Sequence, residues 1–491
     1  MVGPQVRAAG GQSRRPRLIF RRLFEPKLAQ ASYLIGCPAT RRAVVVDPNR
    51  DIDRYLQTAR DESLRITDVT ETHIHADFVS GARELAQRSG ARLHLSQAGD
   101  PEWGYRYPSD DGVCWLEDGS AIELGRIELR VLHVPGHTPE HLAFLVSDRE
   151  KGGEPMGALT GDFVFVGDVG RPDLLERAVQ AKGTMERAAR QLFQSLQKFR
   201  SLQDYLQLWP GHGAGSACGK SLSAVPQSTL GFEKRFNWAF GVADETEFVR
   251  AVLAGQPEPP PYFARMKQIN QVGPDLLGNR SPPPRQSLER LASVLADGGV
   301  VVDTREPDNF GRASIPGTIN IPANRSFTNW AGSLLPYDQD LYLVGDDRTG
   351  MIDRLTQDLA GIGLERVAGY FPAGIIDEWR NSRRSLQRIP AVTVDELARG
   401  FRQNGSVVID VRGEGEWKVG HLPGSLNLPL SQLDQRLEQI PRDSPLVVHC
   451  QTGPRAAIGA SLLLARGFPD VRLFPGGFAE WRAAGHVVEV Q

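Results

Sequence analysis

The stretch that decides the reading is Thr72-His-Ile-His-Ala-Asp-Phe78. It follows Ile66–Val69, a short apolar run that reads as a strand. His73 and His75 stand two residues apart, so on extended backbone both rings leave the same side. Three further segments carry side chains of the same chemistry: Pro135-Gly-His137-Thr138, Thr160-Gly-Asp162 and Pro210-Gly-His212-Gly213. Each follows a strand-like run. Glycine beside the last three permits tight turns around a crowded centre. Imidazoles and carboxylates gathered in this way are metal-ligand chemistry.

Around this core the composition is ordinary. The chain has 491 residues, 57 Lys and Arg against 59 Asp and Glu, a formal charge of -2, and 40% hydrophobic residues. That length suggests about three domains. The charge balance gives no footing for nucleic acid, and no run of about 18 apolar residues marks a membrane span. Four cysteines, Cys37, Cys114, Cys218 and Cys450, are too few for a disulfide scaffold. Residues 1–16 hold Arg7, Arg14 and Arg15 without an apolar run, which excludes a secretory signal. They read as a disordered extension, and the chain as cytoplasmic.

Proline-rich runs at Gly255–Tyr262 and Asn279–Arg285 read as linkers. Phe263–Leu277 between them reads as a short helix, and a boundary falls near 285. In the first part Ala43–Asp47, Ile127–His133 and Leu142–Val146 read as strands, and Asp51–Glu62 and Leu174–Phe199 as helices. Beyond the boundary the chain repeats at an offset of about 105 residues, far longer than a solenoid period of about 20 to 50. Val301-Val-Asp-Thr-Arg305 matches Val408-Ile-Asp-Val-Arg412, and Ser314–Asn320 matches His421–Asn427. Apolar strands alternate with helical patterns in both copies, the mark of an α/β unit with a parallel sheet.

The metal segments together resemble the metallo-β-lactamase fold, whose pattern is T-H-x-H-x-D-H, G-H, G-D and G-H. One position departs: Phe78 stands where a second-metal histidine is usual. Two histidines and a carboxylate with open positions suit non-haem Fe(II). Thr160–Asp173 and Gly213–Lys220 resemble the persulfide dioxygenase branch. That resemblance implies one Fe(II) per chain on His73, His137 and Asp162, with His75, Asp77 and His212 behind them. The residues alone leave His75 open as a direct ligand. Arg171 reads as a substrate contact or a structural ion pair, and Cys218 as a persulfide acceptor or a packed thiol. Cys37 and Cys114 read as packing. His94, His133, His141, His421, His449 and His486 read as satisfied or surface residues.

In the second repeat, Val447-Val-His-Cys450-Gln451-Thr452-Gly453-Pro-Arg455 runs from strand through turn into helix. A thiolate there meets free amides and the positive end of the helix dipole. With Asp410–Arg412 and Phe474–Gly477 this resembles a rhodanese sulfurtransferase, with Cys450 as nucleophile and Gln451, Thr452, Gly453 and Arg455 around the sulfur. The loop is one residue shorter than that of the similar cysteine phosphatases. In the first repeat Gly345 falls opposite Cys450, so that copy reads as inactive, a spacer or docking surface.

The expected architecture is α/β: an αββα metallo-β-lactamase sandwich over 17–285, an inactive rhodanese-like domain over 286–387, and an active one over 388–491. The resemblance implies oxidation of a thiol persulfide by O2 to sulfite and sulfane transfer through Cys450 to or from sulfite and thiosulfate, with a homo-oligomer as a further expectation. The alternative is a zinc-dependent thioester hydrolase of glyoxalase II type. A non-catalytic sulfur sensor is the third reading.

Overall fold

The computed structural model describes residues 18–99, 102–179, 183–278, 280–400 and 405–491. The segment 1–16 lies outside them.

Two six-stranded sheets form the first lobe. The first contains β1 (Ile19–Glu25), β2 (Gln30–Cys37), β3 (Arg42–Val46), β4 (Arg65–Thr70), β5 (Arg92–Ser96) and β6 (Cys114–Leu116) in that order. The second contains β7 (Ala121–Leu124), β8 (Ile127–His133), β9 (Leu142–Asp148), β10 (Pro155–Gly161), β11 (Gln207–Pro210) and β12 (Ser228–Thr229). Strand alternation builds the layers. Tyr33, Ile35, Val44 and Val46 face Leu129, Val131 and Phe144 between the sheets. Leu34, Ala43 and Val45 point the other way, under helices Asp53–Asp61 and Ala82–Ser89. Helices Met185–Arg200 and Glu245–Leu253 cover the outer face of the second sheet. The result is an αββα sandwich.

The helix expected over Leu174–Phe199 is two helices, Leu174–Val179 and Met185–Arg200. Gly183, at φ +76°, stands between them in a left-handed conformation that ends helical propagation.

The two repeats fold alike. β13 (Val300–Asp303), β14 (Ile319–Asn320), β15 (Leu341–Gly345) and β16 (Val367–Pro372) form a parallel sheet in the order β14-β13-β15-β16. β17 (Val407–Asp410), β18 (Leu426–Asn427), β19 (Leu446–His449) and β20 (Val471–Leu473) repeat it as β18-β17-β19-β20. Val300 pairs with Leu341 as Val407 pairs with Leu446, which puts Gly345 opposite Cys450.

Helix Pro454–Ala465 is apolar all round and buried from Ala456 to Leu464. A helix of that pattern needs cover on every side. Its own sheet supplies one side. The first repeat supplies another, where Ser461 Oγ accepts the Asn320 N–H at 2.9 Å. The first repeat also grips the sandwich: Val79 N–H donates to the Gly361 carbonyl at 2.7 Å, and Arg50 pairs with Glu365. No described helix is long and apolar enough to cross a membrane.

Candidate functional site

Each candidate ligand follows the end of a strand: His73 after β4, His137 after β8, Asp162 after β10 and His212 after β11. These ends converge, and His73, His137 and Asp162 meet as a buried group. Asp162 Oδ2 lies 3.6 Å from His137 Nε2 and 3.9 Å from His73 Nε2. Those spacings exceed a hydrogen bond, and Asp162 Oδ2 has no hydrogen-bond partner. The turn is tight at Gly161, φ +49°, where a Cβ would come within 2.4 Å of Thr72 Oγ1.

Neighbouring groups fix both tautomers. His137 Nδ1–H donates to the Arg171 carbonyl at 2.9 Å, leaving the Nε2 lone pair free. Thr72 Oγ1 donates to Asp47 Oδ2 at 3.0 Å and so accepts from His73 Nδ1–H at 2.9 Å. Burial, followed by the rings of His75, His141 and His137, pushes the His73 pKa well down, and burial lowers His137 too. Two neutral imidazoles and an unpartnered carboxylate oxygen are the donor set a metal ion needs.

The remaining motif residues sit behind these three. His212 Nδ1 donates to Asp162 Oδ1 at 2.7 Å, and its Nε2 donates to Asp77 Oδ2 at 2.8 Å. Burial alone would discharge the ring, but the two carboxylates outweigh it and hold its pKa well up. His75 turns away, with Nε2 donating to Asp47 Oδ1 at 3.2 Å. Burial opposes its charge, yet Asp47 pushes it up to about 8. Phe78 is fully buried against that ring.

Two residues carried two readings each. Arg171 is fully buried and pairs with Asp173 through two bonds of 2.8 and 2.7 Å, with a third bond to the Ala217 carbonyl. This is the ion-pair reading, and the same residue carries the carbonyl that accepts from His137. Cys218 is also buried, in a group with Asp77 and His212. Burial, then the charges of Asp77 and Asp162, pushes its thiol well up, which favours the packed-thiol reading.

Sequence reading missed His141 and Glu140. His141 stacks on His73 at 4.7 Å and accepts the Asp162 N–H on Nε2 at 3.1 Å. Glu140 accepts the Ile74 N–H at 2.8 Å, between the two motif histidines. Their place directly after Pro135–Thr138 was the available signal.

Cys450 opens the second site. Gly453 N–H donates to Cys450 Sγ at 3.2 Å, one residue before helix Pro454–Ala465. Gly453 takes φ +100°, and a Cβ there would lie 2.5 Å from the Pro475 carbonyl. Arg455 is held by Glu416 through bonds of 2.6 and 2.8 Å. Gln451 Oε1 lies 3.4 Å from an Arg412 nitrogen, and Arg412 is clamped to Asp410. Thr452 lies in the same turn, between Gln451 and Gly453.

A solved metallo-β-lactamase of Staphylococcus aureus is 41% identical, covers 73% of this chain, is itself covered over 99%, and has a TM-score of 0.65. The chain belongs to the metallo-β-lactamase superfamily. The superfamily model matches residues 26–212, and a rhodanese-like domain model matches residues 393–484. This superfamily member is 31% identical over 163 residues to the bovine (Bos taurus) mitochondrial persulfide dioxygenase ETHE1, covering 32% of this chain and 56% of that one. It is 28% identical over 200 residues to the hydroxyacylglutathione hydrolase GloC of Haemophilus influenzae, covering 38% and 87%. It spans only 62% of the length of other curated relatives it matches.

Proposed function

We propose that this chain is a persulfide dioxygenase joined to a sulfurtransferase, acting in a reducing cytoplasm. The observation that carries the reading is the three-ligand group of His73, His137 and Asp162 beside a second position stripped of its histidine by Phe78. Two histidines and one carboxylate with open positions suit a single Fe(II), which would supply oxygen activation. The likeness to persulfide dioxygenases supports the same chemistry. The overall reaction takes a thiol persulfide, O2 and water to the thiol, sulfite and two protons.

The protein's part is positioning. Thr72 and the Arg171 carbonyl keep both Nε2 lone pairs turned inward. His212 neutralises Asp162 from behind and leaves Oδ2 free. Phe78 packs on the His75 ring and offers no nitrogen donor at the motif position where a second ion's histidine is usual. In the rhodanese-like domain, Cys450 Sγ takes sulfane sulfur from a second persulfide and releases its thiol. Sulfite then attacks the outer sulfur, leaving thiosulfate and the Cys450 thiolate. The Gly453 amide and the helix N-terminus stabilise that thiolate. Covalent joining raises the local concentration of sulfite near Cys450.

The second reading is a zinc-dependent thioester hydrolase. The Asp77, His212 and Cys218 group favours it, because those residues would offer a second ion some ligands. Against it, His212 Nε2 and Asp77 Oδ2 already satisfy each other. Anaerobic iron loading, followed by oxygen uptake with a panel of thiol persulfides, tests the proposal. Uptake that depends on iron supports it. Two zinc ions per chain with thioester hydrolysis and no uptake support the hydrolase.

A further inference from the structure

Helix Phe263–Val272 buries Phe263, Met266, Lys267, Asn270 and Gln271, one continuous face at helical spacing. The Asn270 end of that face grips the metal motif. Its Nδ2 donates to the His75 carbonyl at 2.8 Å and the Phe78 carbonyl at 2.7 Å, and its Oδ1 accepts the Ser80 N–H at 2.8 Å. Lys267 stands one turn earlier on the same face, so it too is directed at the motif.

Lys267 is 6% exposed, and its Nζ has no hydrogen-bond partner. Its charge reaches His73 and His137, where it adds to the lowering of both. Glu140 is the acid whose charge reaches it. One Glu140 oxygen is taken by the Ile74 N–H, and the other has no hydrogen-bond partner. Thr138 Oγ1, next to His137, is buried and unpartnered as well. A buried ammonium with no bonded acceptor is strongly unfavourable unless something else meets it. These orphaned groups belong to one neighbourhood: the Lys267 charge acts on both ligand rings, and Thr138 directly follows His137.

We propose that Lys267 is the anion-binding residue of the metal site, and that with the Thr138 hydroxyl it holds a sulfur-centred anion beside the ligands. The shared chemistry is that of a persulfide anion entering or sulfite leaving. Burial works against the ammonium, and an anion at Nζ offsets that cost. The Glu140 charge works in the other direction and favours the ammonium, though burial outweighs it. The inference rests on the dioxygenase reading for the identity of the anion, but not for the existence of the site.

The test is an anaerobic titration of the metal-loaded full chain with inorganic sulfite, comparing wild type, Lys267→Met and Lys267→Gln. Both variants should weaken sulfite binding by about tenfold or more, the loss expected for a charge-assisted contact. Metal content should not change. The glutamine variant keeps polar reach and covers the case in which the methionine variant does not fold. A KM for persulfide that rises with the sulfite Kd assigns the site to both anions. An unchanged KM assigns it to product alone. Sulfite binding that stays at the wild-type level in the folded variants overturns the inference. Lost binding in a chain that takes up no oxygen would overturn the dioxygenase reading and leave the anion site standing.

Discussion

Asp162 Oδ2 faces His137 Nε2 across 3.6 Å with no hydrogen bond between them. Two buried polar atoms in that relation call for a third partner, and a metal ion satisfies both at once. The orientation depends on Asp47, which receives Thr72 Oγ1 and so sets the His73 tautomer. Asp47→Ala should weaken metal affinity by about 10- to 100-fold. Asp162→Ala should abolish stoichiometric loading. Competition against a chelator, read with metal analysis of the purified variants, checks both.

Cys450→Ser should remove sulfane transfer while leaving oxygen uptake within about twofold of wild type, because Cys450 and the metal ligands lie on separate sheets. Sulfite should accumulate in place of thiosulfate. Quantifying both anions after a fixed oxygen consumption checks this, and unchanged thiosulfate output would rule out the relay through Cys450.

Gly345→Cys should not create a second transferase site. A Cβ at Gly345 would lie 2.8 Å from Thr304 Oγ1 and 3.1 Å from Ile352 Cδ1, and Asp346 and Asp347 follow it. The acidic loop disfavours a thiolate there. In a Cys450→Ser background, the added cysteine should leave thiosulfate:cyanide transferase activity at background.

Asp68 links stability to acid. Burial works against its charge, but hydrogen bonds from His94 and Thr67 and the Arg92 guanidinium outweigh burial and hold the carboxyl down at about 2. A depressed acid stabilises the fold above its unfolded pKa, and that stability is lost as pH falls through the folded value. The window is therefore about pH 4 down to about 2, with a contribution of about 2 kcal/mol at neutral pH. Asp68→Asn should lose that amount at pH 7 and much less at pH 2.5. Urea unfolding at the two pH values checks the difference.

Much of this was legible in the sequence because the informative residues lie in short contiguous motifs. Thr72–Phe78 and Val447–Arg455 each carry their chemistry within one turn of chain. The repeat was legible because Gly345 and Cys450 share a register. The remainder depends on contacts between distant segments. Arg171 reads equally as a substrate contact or an ion pair until Asp173 and the Ala217 carbonyl are seen to close on it. Cys218 sits in a glycine-rich run that suggests exposure, yet the fold buries it beside two carboxylates. Lys267 lies in Phe263–Leu277, which reads only as a short helix, and no motif marks it. Only the burial of its neighbours Met266 and Asn270 turns it inward.

The most direct test of the central claim is the ratio of oxygen consumed to sulfite formed by the iron-loaded Cys450→Ser chain supplied with a thiol persulfide. This variant cannot draw sulfite onward through Cys450, so the account predicts a ratio of about one, lost when the iron is removed. Absence of oxygen uptake from the fully iron-loaded chain, with thioester hydrolysis by the zinc-loaded form, would contradict it.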